Sequence, residues 1–172
     1  EVFQRVEEFS VHTFSPQGGA IRTEGGLDIA NTASVDGLLF CDILFIPGGT
    51  GVNKIIADPE LLRKIHDLGK RSRMVTSVCT GSLVLAAADL LTGYHATTHW
   101  RYLDLLAIFG AVPVADRVVI DRDRITGGGV TAGLDFALTL VSQLVSDARA
   151  REIALALEYN PAPPFASGHP SV

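Results

Sequence analysis

Short runs rich in β-branched and apolar residues alternate with segments of helical periodicity along this chain. The runs SVHTFSP, DILFIPGG and MVTSV predict strands whose nearly continuous apolar character is typical of strands covered on both faces. Helical periodicity predicts helices over five segments, namely 59–71, 81–91, 101–109, 131–146 and 148–159. Strands and helices that alternate in this way predict an α/β fold with a mostly parallel central sheet.

The beginning of the chain has the pattern of an amphipathic helix rather than of a strand. Apolar residues recur there at helical spacing, at Val2, Phe3, Val6 and Phe9, and predict a helix that packs on the sheet. A doubly wound domain normally starts with a strand before such a helix. We therefore expect the first strand of the sheet to precede Glu1.

Two other segments predict a hairpin and an extended tail. In GGAIRTEGGLDIANT a Gly-Gly pair lies between two β-like runs and predicts a hairpin. The segment YNPAPPFASGHPSV is rich in proline and glycine and predicts an extended tail, because proline removes a backbone donor and restricts its predecessor. No internal repeat occurs, and 47% of the 172 residues are apolar, so residues 1–172 predict a single domain with a substantial core.

Charge and cysteine content argue against several classes of partner and compartment. The formal net charge is -5, and no run of Lys or Arg occurs that could follow a phosphate backbone, which argues against nucleic acid. The apolar stretch LVLAAADLL is short and contains Asp89, whereas a membrane span needs about 20 apolar residues. Two cysteines without a secretory signal predict a cytoplasmic protein rather than a disulfide framework.

The run RMVTSVCTGSLVLAAADLL has the pattern of a nucleophile elbow, a tight strand-to-helix turn that exposes a reactive side chain. Cys79 stands at that turn, before the helix that Thr80 and Gly81 open, and Ser77 and Gly81 are the small neighbours that such a turn requires. The unpaired N–H groups at a helix start favour thiolate over thiol, so we predict that Cys79 is the nucleophile. The alternative is a buried structural thiol, which we expect for Cys41 because no elbow follows it.

Two Gly-rich runs follow predicted strands. IPGGTGV lacks the Lys-Ser/Thr of a P-loop and the spacing of a dinucleotide fingerprint, which argues against phosphate binding. Its N–H groups at Gly49 or Thr50 are candidates to stabilise negative charge on a substrate, and an ordinary strand-end turn is the alternative. ITGGGVTAGLDFALTL predicts a strand, a turn beside the elbow and a helix whose first turn holds Asp135, with no catalytic role.

The segment HATTHW offers two histidines, His95 and His99. A Cys–His pair would form a hydrolytic dyad, but the spacing from Cys79 says little about whether such partners meet. We expect His99 to line the pocket instead. Spacings typical of metal ligands, such as CxxC or HExxH, do not occur, so neither a metal nor another cofactor is predicted.

These motifs together resemble the ThiJ/PfpI superfamily, which has the class I glutamine amidotransferase-like fold, over nearly the whole chain. Within it, the isocyanide hydratase branch is the most similar, on the segments IPGGTGV, VTSVCTGSLVLAAADLL, ATTHW, TGGGVTAGLDFALTL and LEYNPAPPF. Thr80 separates the chain from peptidase-like members, which place His directly after the nucleophile. The resemblance implies a flavodoxin-like three-layer sandwich, a small-molecule isocyanide substrate, no cofactor and a homodimer.

The resemblance further implies hydration of an isocyanide to an N-substituted formamide. The Cys79 thiolate would add to the terminal isocyanide carbon, an acid would protonate that carbon, and water would release formamide from the thioimidate. Thr80 would orient the site through its backbone or hydroxyl. In this branch the acid is an aspartate after the first strand, which we expect before Glu1, and the branch continues beyond the proline-rich tail.

Three other functions stay open from the sequence. A noncatalytic ligand-binding domain of the AraC-type regulators has a similar cysteine and ATTHW segment, but we expect a helix-turn-helix pair to follow in such a regulator. A cysteine-dependent glyoxalase or deglycase would need a glutamate in the same segment before Glu1. An oxidant sensor would use the ease with which an exposed, reactive thiol is oxidised.

Overall fold

A four-stranded sheet with helices on both faces forms the centre of the computed structural model, which describes residues 1–23 and 25–169. Its regular elements follow in the order β1 (Phe14–Ser15), β2 (Gly19–Arg22), β3 (Asp28–Ser34), β4 (Ile43–Ile46), α1 (Val52–Ile56), α2 (Pro59–Arg71), β5 (Met74–Val78), α3 (Gly81–Ala87), β6 (His95–Ala96), α4 (Leu105–Ile108), β7 (Val112–Pro113), β8 (Val118–Asp121), β9 (Arg124–Gly127), α5 (Ala132–Leu144) and α6 (Asp147–Ala156). Short 3-10 turns occur at Phe3–Arg5, Val35–Gly37 and Trp100–Tyr102.

The central sheet is parallel except at one edge. Its strands lie in the order β4-β5-β9-β8; β5 pairs in parallel with both β4 and β9, and β8 is antiparallel to β9. The carboxyl ends of the three parallel strands therefore meet at one edge, which is where ligands bind in open α/β sheets. The mostly parallel sheet predicted from the alternation of strands and helices is confirmed.

Alternate side chains of the central strands enter two separate cores. Leu44, Ile46 and Val75 pack with α1, α2 and α3 on one face. Ile43 and Phe45 pack with α5 and α6 on the other face. Burial on both faces explains why these strands have nearly continuous apolar sequence. The arrangement is a flavodoxin-like three-layer sandwich.

The hairpin predicted in GGAIRTEGGLDIANT is present, because β2 and β3 pair antiparallel. Residue 24, near its tip, lies outside the described residues. The strand predicted for SVHTFSP is too long, since only Phe14–Ser15 is a strand. Its parallel partner β3 reaches it only at Ala33 and Ser34, which leaves the preceding residues without a ladder.

The proline-rich tail has neither helix nor strand over residues 159–169. Residues 170–172, the last of the predicted extended tail, lie outside the described residues. None of the helices in the described part of the chain is long and apolar enough to cross a membrane.

The predicted helices are present, with different ends. α2 has the predicted bounds, because Asp58 caps it by accepting from the Leu61 N–H at 3.0 Å and Pro59 supplies its first residue. α5 and α6 agree with their predicted segments within a few residues at each end.

Two predicted helices are shorter than expected. α3 ends at Ala87 rather than at residue 91, because Asp89 adopts a left-handed φ of 56° and accepts a hydrogen bond from Thr92. The segment 101–109 is not one helix: it divides into the turn Trp100–Tyr102 and the short helix α4.

The amphipathic helix predicted at the beginning of the chain is wrong in type, because only the 3-10 turn Phe3–Arg5 forms there. The chain leaves the turn at Val6, whose φ of -101° and ψ of 111° are extended. The apolar face was predicted correctly. Val2 and Val6 are buried, and the Phe3 ring packs edge-on against Phe45 with ring centroids 6.2 Å apart.

A charged cluster joins the edge strand β8 to β6 at the opposite end of the sheet from the elbow. The Asp121 carboxylate accepts from Arg122 Nε at 3.0 Å and from the His95 backbone N–H at 2.7 Å. The Arg122 side chain, followed by the His95 N–H, holds the pKa of Asp121 well below its usual range. Arg122 also lies over the Tyr94 ring, with its guanidinium carbon 3.5 Å from the ring centroid.

The close packing of α3 on β4 predicts the effect of adding one methyl group. A Cβ at Gly81 would overlap the Ile46 carbonyl group and lie 2.9 Å from the carbonyl carbon of Pro47, so Gly81→Ala should lower the free energy of unfolding by about 1–3 kcal/mol or prevent folding. Gly133→Ala in α5 is the matched control. A Cβ there meets nothing within 4 Å, and it should be neutral or stabilising by up to about 1 kcal/mol. Urea unfolding measures both, and equal stability of the two variants would contradict this packing.

Candidate active site

Cys79 occupies the predicted elbow, directly after β5. Its φ of 54° lies in the left-handed region, which costs a residue with a side chain about 1–2 kcal/mol and persists only where the surroundings fix it. The Cys79 N–H donates to the carbonyl oxygens of Gly127 and Gly128 at 2.9 and 2.8 Å. Its own carbonyl accepts from Thr98 Oγ1 at 2.7 Å. Both backbone polar groups of the residue are thus held.

Glycines on either side of the elbow permit the close approach of three backbone segments. A Cβ at Gly48 would lie 2.7 Å from the Thr80 nitrogen and 2.8 Å from the Cys79 Cβ, so the turn after β4 can pass the elbow only without a side chain. Gly81 meets the end of β4 in the same way. The elbow therefore needs a third small residue, Gly48, besides Ser77 and Gly81. The sequence pattern of the elbow does not indicate Gly48, because this residue belongs to the turn after β4.

A chain of buried hydroxyl groups lies beneath the elbow. Ser82 Oγ donates to the Thr97 carbonyl at 2.7 Å and lies 2.8 Å from Ser77 Oγ, so the Ser77 hydroxyl is the donor to Ser82. The Thr97 N–H donates to Thr126 Oγ1 at 2.9 Å. These four residues are at most 2% exposed, and together they fix the ATTHW segment to β5, α3 and β9.

Thr80 connects the elbow to the turn after β4. The Gly49 N–H donates to Thr80 Oγ1 at 3.0 Å, whereas the Gly49 carbonyl is 3.4 Å from the same oxygen. The expected role of the Gly49 N–H as a donor to substrate is therefore not the arrangement found, since this N–H already has an acceptor. The N–H groups of Thr50 and Thr80 have no acceptor within the described parts of the chain.

His99 lies on the site side of the ATTHW segment. Its Nδ1 accepts from the Arg101 N–H at 3.3 Å, which places the proton of a neutral ring on Nε2. The ring stacks on Trp100 with centroids 5.8 Å apart and approaches Gly129 closely enough that a Cβ there would lie 3.3 Å from His99 Cδ2. His95 is elsewhere, 3.2 Å from Asp121 at the far end of the sheet.

A cavity of about 820 Å³ opens over the elbow. The residues predicted from the sequence all line it, namely Gly49, Thr50, Cys79, Thr80 and His99. Its volume is in the range of small-molecule sites, which are mostly apolar with a few directed polar groups. The cavity thus brings together in space residues that are 50 positions apart in the sequence.

Other cavity residues were not predicted. Leu83 and Val130 supply apolar walls, and the turn Trp100–Tyr102 supplies two aromatic rings and the Arg101 side chain. Val130 lies in the Gly-rich turn after β9, which was interpreted only as packing. In the sequence, the tryptophan that directly follows His99 could have indicated that this turn lines the cavity. The turn was instead predicted as the start of a helix over residues 101–109.

Cys41 lies outside this cavity. It is half-buried, and its Sγ is 3.3 Å from Ser72 Oγ. Within residues 1–23 and 25–169, no three His, Cys, Asp or Glu side chains group as they would around a metal ion.

Asp135 has more contacts than a residue in a first helical turn requires. Its carboxylate accepts from Arg117 Nε and from the Tyr159 hydroxyl, at 3.1 Å for the latter. The Arg117 carbonyl accepts from the Gly128 N–H at 2.9 Å, and the Gly128 carbonyl in turn accepts from Cys79. Asp135 therefore stabilises the Gly-rich turn beside the elbow.

Comparison with known proteins agrees with this geometry. A family model described as DJ-1/PfpI family matches residues 1–143. The chain belongs to the DJ-1/PfpI family. The crystal structure of a ThiJ/PfpI family protein from Pseudomonas syringae superposes on this chain with a TM-score of 0.93. The two are 43% identical, and the match covers 97% of this chain and 70% of that one.

Two curated relatives in this family differ in their names. Isonitrile hydratase of Pseudomonas putida is 46% identical over 170 residues, which are 99% of this chain and 75% of that protein. The HTH-type transcriptional regulator GbdR of Pseudomonas aeruginosa is 32% identical over 139 residues, which are 80% of this chain and 38% of the regulator. The match to the hydratase is thus both longer and closer.

The different surroundings of the two cysteines predict selective alkylation. With limiting iodoacetamide, Cys79 in the cavity should react at least about tenfold faster than Cys41, whose thiol contacts Ser72. Peptide mass spectrometry locates the label. Cys79→Ser should abolish the fast phase and Cys41→Ser should retain it; fast labelling of Cys41 instead would contradict the assignment of the nucleophile.

Proposed function

We propose that this chain is a cysteine-dependent hydro-lyase that adds water to an isocyanide and gives an N-substituted formamide. The observation that carries the proposal is the position of Cys79 at a left-handed elbow on the floor of a cavity of about 820 Å³. The 46% identity to an isonitrile hydratase over 99% of the chain supports the same chemistry.

The first step is nucleophilic addition. The Cys79 thiolate sulfur forms a bond to the terminal carbon of the isocyanide, one electron pair of the carbon–nitrogen triple bond moves to nitrogen, and the carbon keeps its lone pair. The new carbanion-like centre takes a proton, which gives a thioimidate. The N–H groups of Thr50 and Thr80, which have no acceptor among the described residues, are the proposed donors to the developing negative charge.

Thr80 has a further role through its hydroxyl group. Its oxygen accepts from the Gly49 N–H at 3.0 Å, and the acceptor nearest to its own proton, the Gly49 carbonyl, is 3.4 Å away. A substrate atom or a water molecule at normal hydrogen-bond distance would therefore compete well for that proton. We assign to Thr80 the orientation of the substrate or of the attacking water.

The second step is hydrolysis of the thioimidate. Water adds to the same carbon, the nitrogen gains a proton, and the carbon–sulfur bond breaks to release the formamide and the Cys79 thiol. The cavity lining formed by the described residues contains no Asp or Glu. The aspartate that the resemblance implies as the acid stays a prediction, and His99 is the histidine on the described lining of the cavity.

A noncatalytic ligand-binding function is the second candidate, because the regulator GbdR is 32% identical over 80% of this chain. Such a domain would bind a small molecule in the same cavity without turnover. Formamide production therefore distinguishes the two functions. The homodimer implied by the resemblance belongs to the first proposal, and sedimentation of the protein at micromolar concentration tests it.

Loss of the Cys79 thiol should abolish hydration. With an aromatic isocyanide, Cys79→Ala should reduce kcat/KM by at least about 10³-fold, because the proposed reaction starts with a bond from this thiol. Chromatography of the formamide measures turnover, and rapid acid quench should show unaltered protein whose mass has increased by that of one isocyanide. Cys41→Ser is the control and should retain turnover. Binding without any formamide from the unaltered protein would favour the ligand-binding function.

Removal of the Thr80 hydroxyl should slow the reaction while the fold persists. Thr80→Val keeps the shape of the side chain but loses its oxygen, and we expect kcat to fall about 10- to 100-fold. Thr80→Ser restores the oxygen and should recover most of the rate. Thermal unfolding of both variants shows whether the elbow is intact, and equal kcat for the valine and serine variants would contradict the role of the hydroxyl.

A further inference from the structure

Arg101 is the one permanently charged side chain on the described lining of the cavity. The rest of that lining consists of apolar residues and of polar residues without a permanent charge. The positive charge of this lining is opposite in sign to the net charge of the chain, which is -5. A cavity with apolar walls and one cation is complementary to a ligand with an apolar body and one negative charge.

Arg101 has no carboxylate partner among the described residues. Within residues 1–23 and 25–169, most arginines pair with Asp or Glu, as Arg117 does with Asp135 and Arg122 with Asp121, whereas none of these ion pairs involves Arg101. Its guanidinium carbon lies 5.3 Å from the centroid of the Trp100 ring. The five donors of the guanidinium are thus available for a ligand, while the aromatic face limits the positions that the side chain takes.

Hydrogen bonds also fix the position of the Arg101 backbone. Its N–H donates to His99 Nδ1 at 3.3 Å within the turn Trp100–Tyr102, and the preceding Thr98 is bonded to the Cys79 carbonyl. The cation is therefore carried on a segment that is anchored to the nucleophile. The distance between Cys79 and Arg101 is set by this segment rather than by a separate loop.

The isocyanide group itself gives Arg101 nothing to bind. It is uncharged, its terminal carbon reacts with sulfur, and it occupies only a small part of a cavity of about 820 Å³. The remaining volume takes the substituent on nitrogen, which passes the apolar residues Leu83, Leu105 and Val130. The exposed guanidinium of Arg101 lies at the rim of these walls, where it can bind a carboxylate through two parallel hydrogen bonds.

We propose that the substituent of the substrate carries a carboxylate and that Arg101 binds it. The substrate class is an isocyano carboxylic acid with an apolar spacer between its two functional groups. This inference rests on the proposed hydratase function and specifies its substrate. Arg101 determines specificity and takes no part in bond making.

The test compares two aromatic isocyanides of nearly equal size, 4-isocyanobenzoate and 4-isocyanobenzamide. The unaltered protein should have a kcat/KM about tenfold higher for the benzoate, mainly through a lower KM, because the carboxylate is bound equally in the ground and transition states. Arg101→Gln should bring the ratio of the two kcat/KM values to about one, and Arg101→Lys should restore part of it.

Arg73→Gln is the matched control. Arg73 is exposed and also lacks an ion pair among the described residues, but it precedes β5 at the end opposite Cys79. Its loss changes the net charge by the same amount and should leave the ratio at about ten. Added salt should lower the ratio for the unaltered protein more than for Arg101→Gln, because it screens the charge on the guanidinium.

The outcomes separate the two proposals. Turnover of the benzamide with no preference for the benzoate, or a preference that persists in Arg101→Gln, would overturn the role of Arg101 and leave the hydratase function intact. A fall in the ratio that Arg73→Gln reproduces would also overturn it. Formamide from neither compound would overturn the hydratase function itself.

Discussion

The left-handed backbone of Cys79 is the constraint on which the rest of the site depends. A φ of 54° at a residue with a side chain is unfavourable in isolation, and here the N–H and the C=O of that residue are bound from two different directions. The turn after β9 supplies the acceptors and the ATTHW segment supplies the donor. Because the position is fixed by neighbouring backbone and a buried hydroxyl, the thiol is presented to the cavity without depending on any flexible side chain.

The same constraint explains the polar core beneath the elbow. Hydroxyl groups of Ser77, Ser82, Thr97 and Thr126 are almost completely buried, a situation that is costly unless each group has a partner. Each has one, and no buried side-chain N or O atom within the described residues is without a partner. Apolar residues of similar volume would fill this space equally well. Hydroxyl groups add direction, since a donor must meet its acceptor, and this direction sets the position of the ATTHW segment relative to Cys79.

Features that depend on a local sequence pattern were predicted correctly. Predictions failed where contacts between distant segments determine the structure. The bounds of β5 and α2 and the position of the elbow were predicted correctly, because each is marked within its own segment. The marks are an apolar run for β5, an N-cap residue for α2 and a glycine after Cys79 for the elbow. The first turn, Phe3–Arg5, was predicted as a helix because its apolar spacing is helical, whereas packing on Phe45 and Phe136 needs only one turn. The division of segment 101–109 into a turn and α4, and the contact of Gly48 with the elbow, depend on residues that are far apart in the sequence. The periodicity of one segment gives no information about such contacts.

Two parts of the site differ in how they tolerate change. Its floor is built from backbone hydrogen bonds and from glycines that no side chain can replace, so variation there would move Cys79 itself. Its rim consists of the exposed side chains of Trp100, Arg101 and Val130, whose replacement alters the cavity wall without touching the bonds that hold the elbow. Relatives as different in name as an isonitrile hydratase and a transcriptional regulator match this chain over most of its length. A floor fixed by backbone and a rim made of replaceable side chains is a physical arrangement in which the cavity wall can change while the fold stays the same.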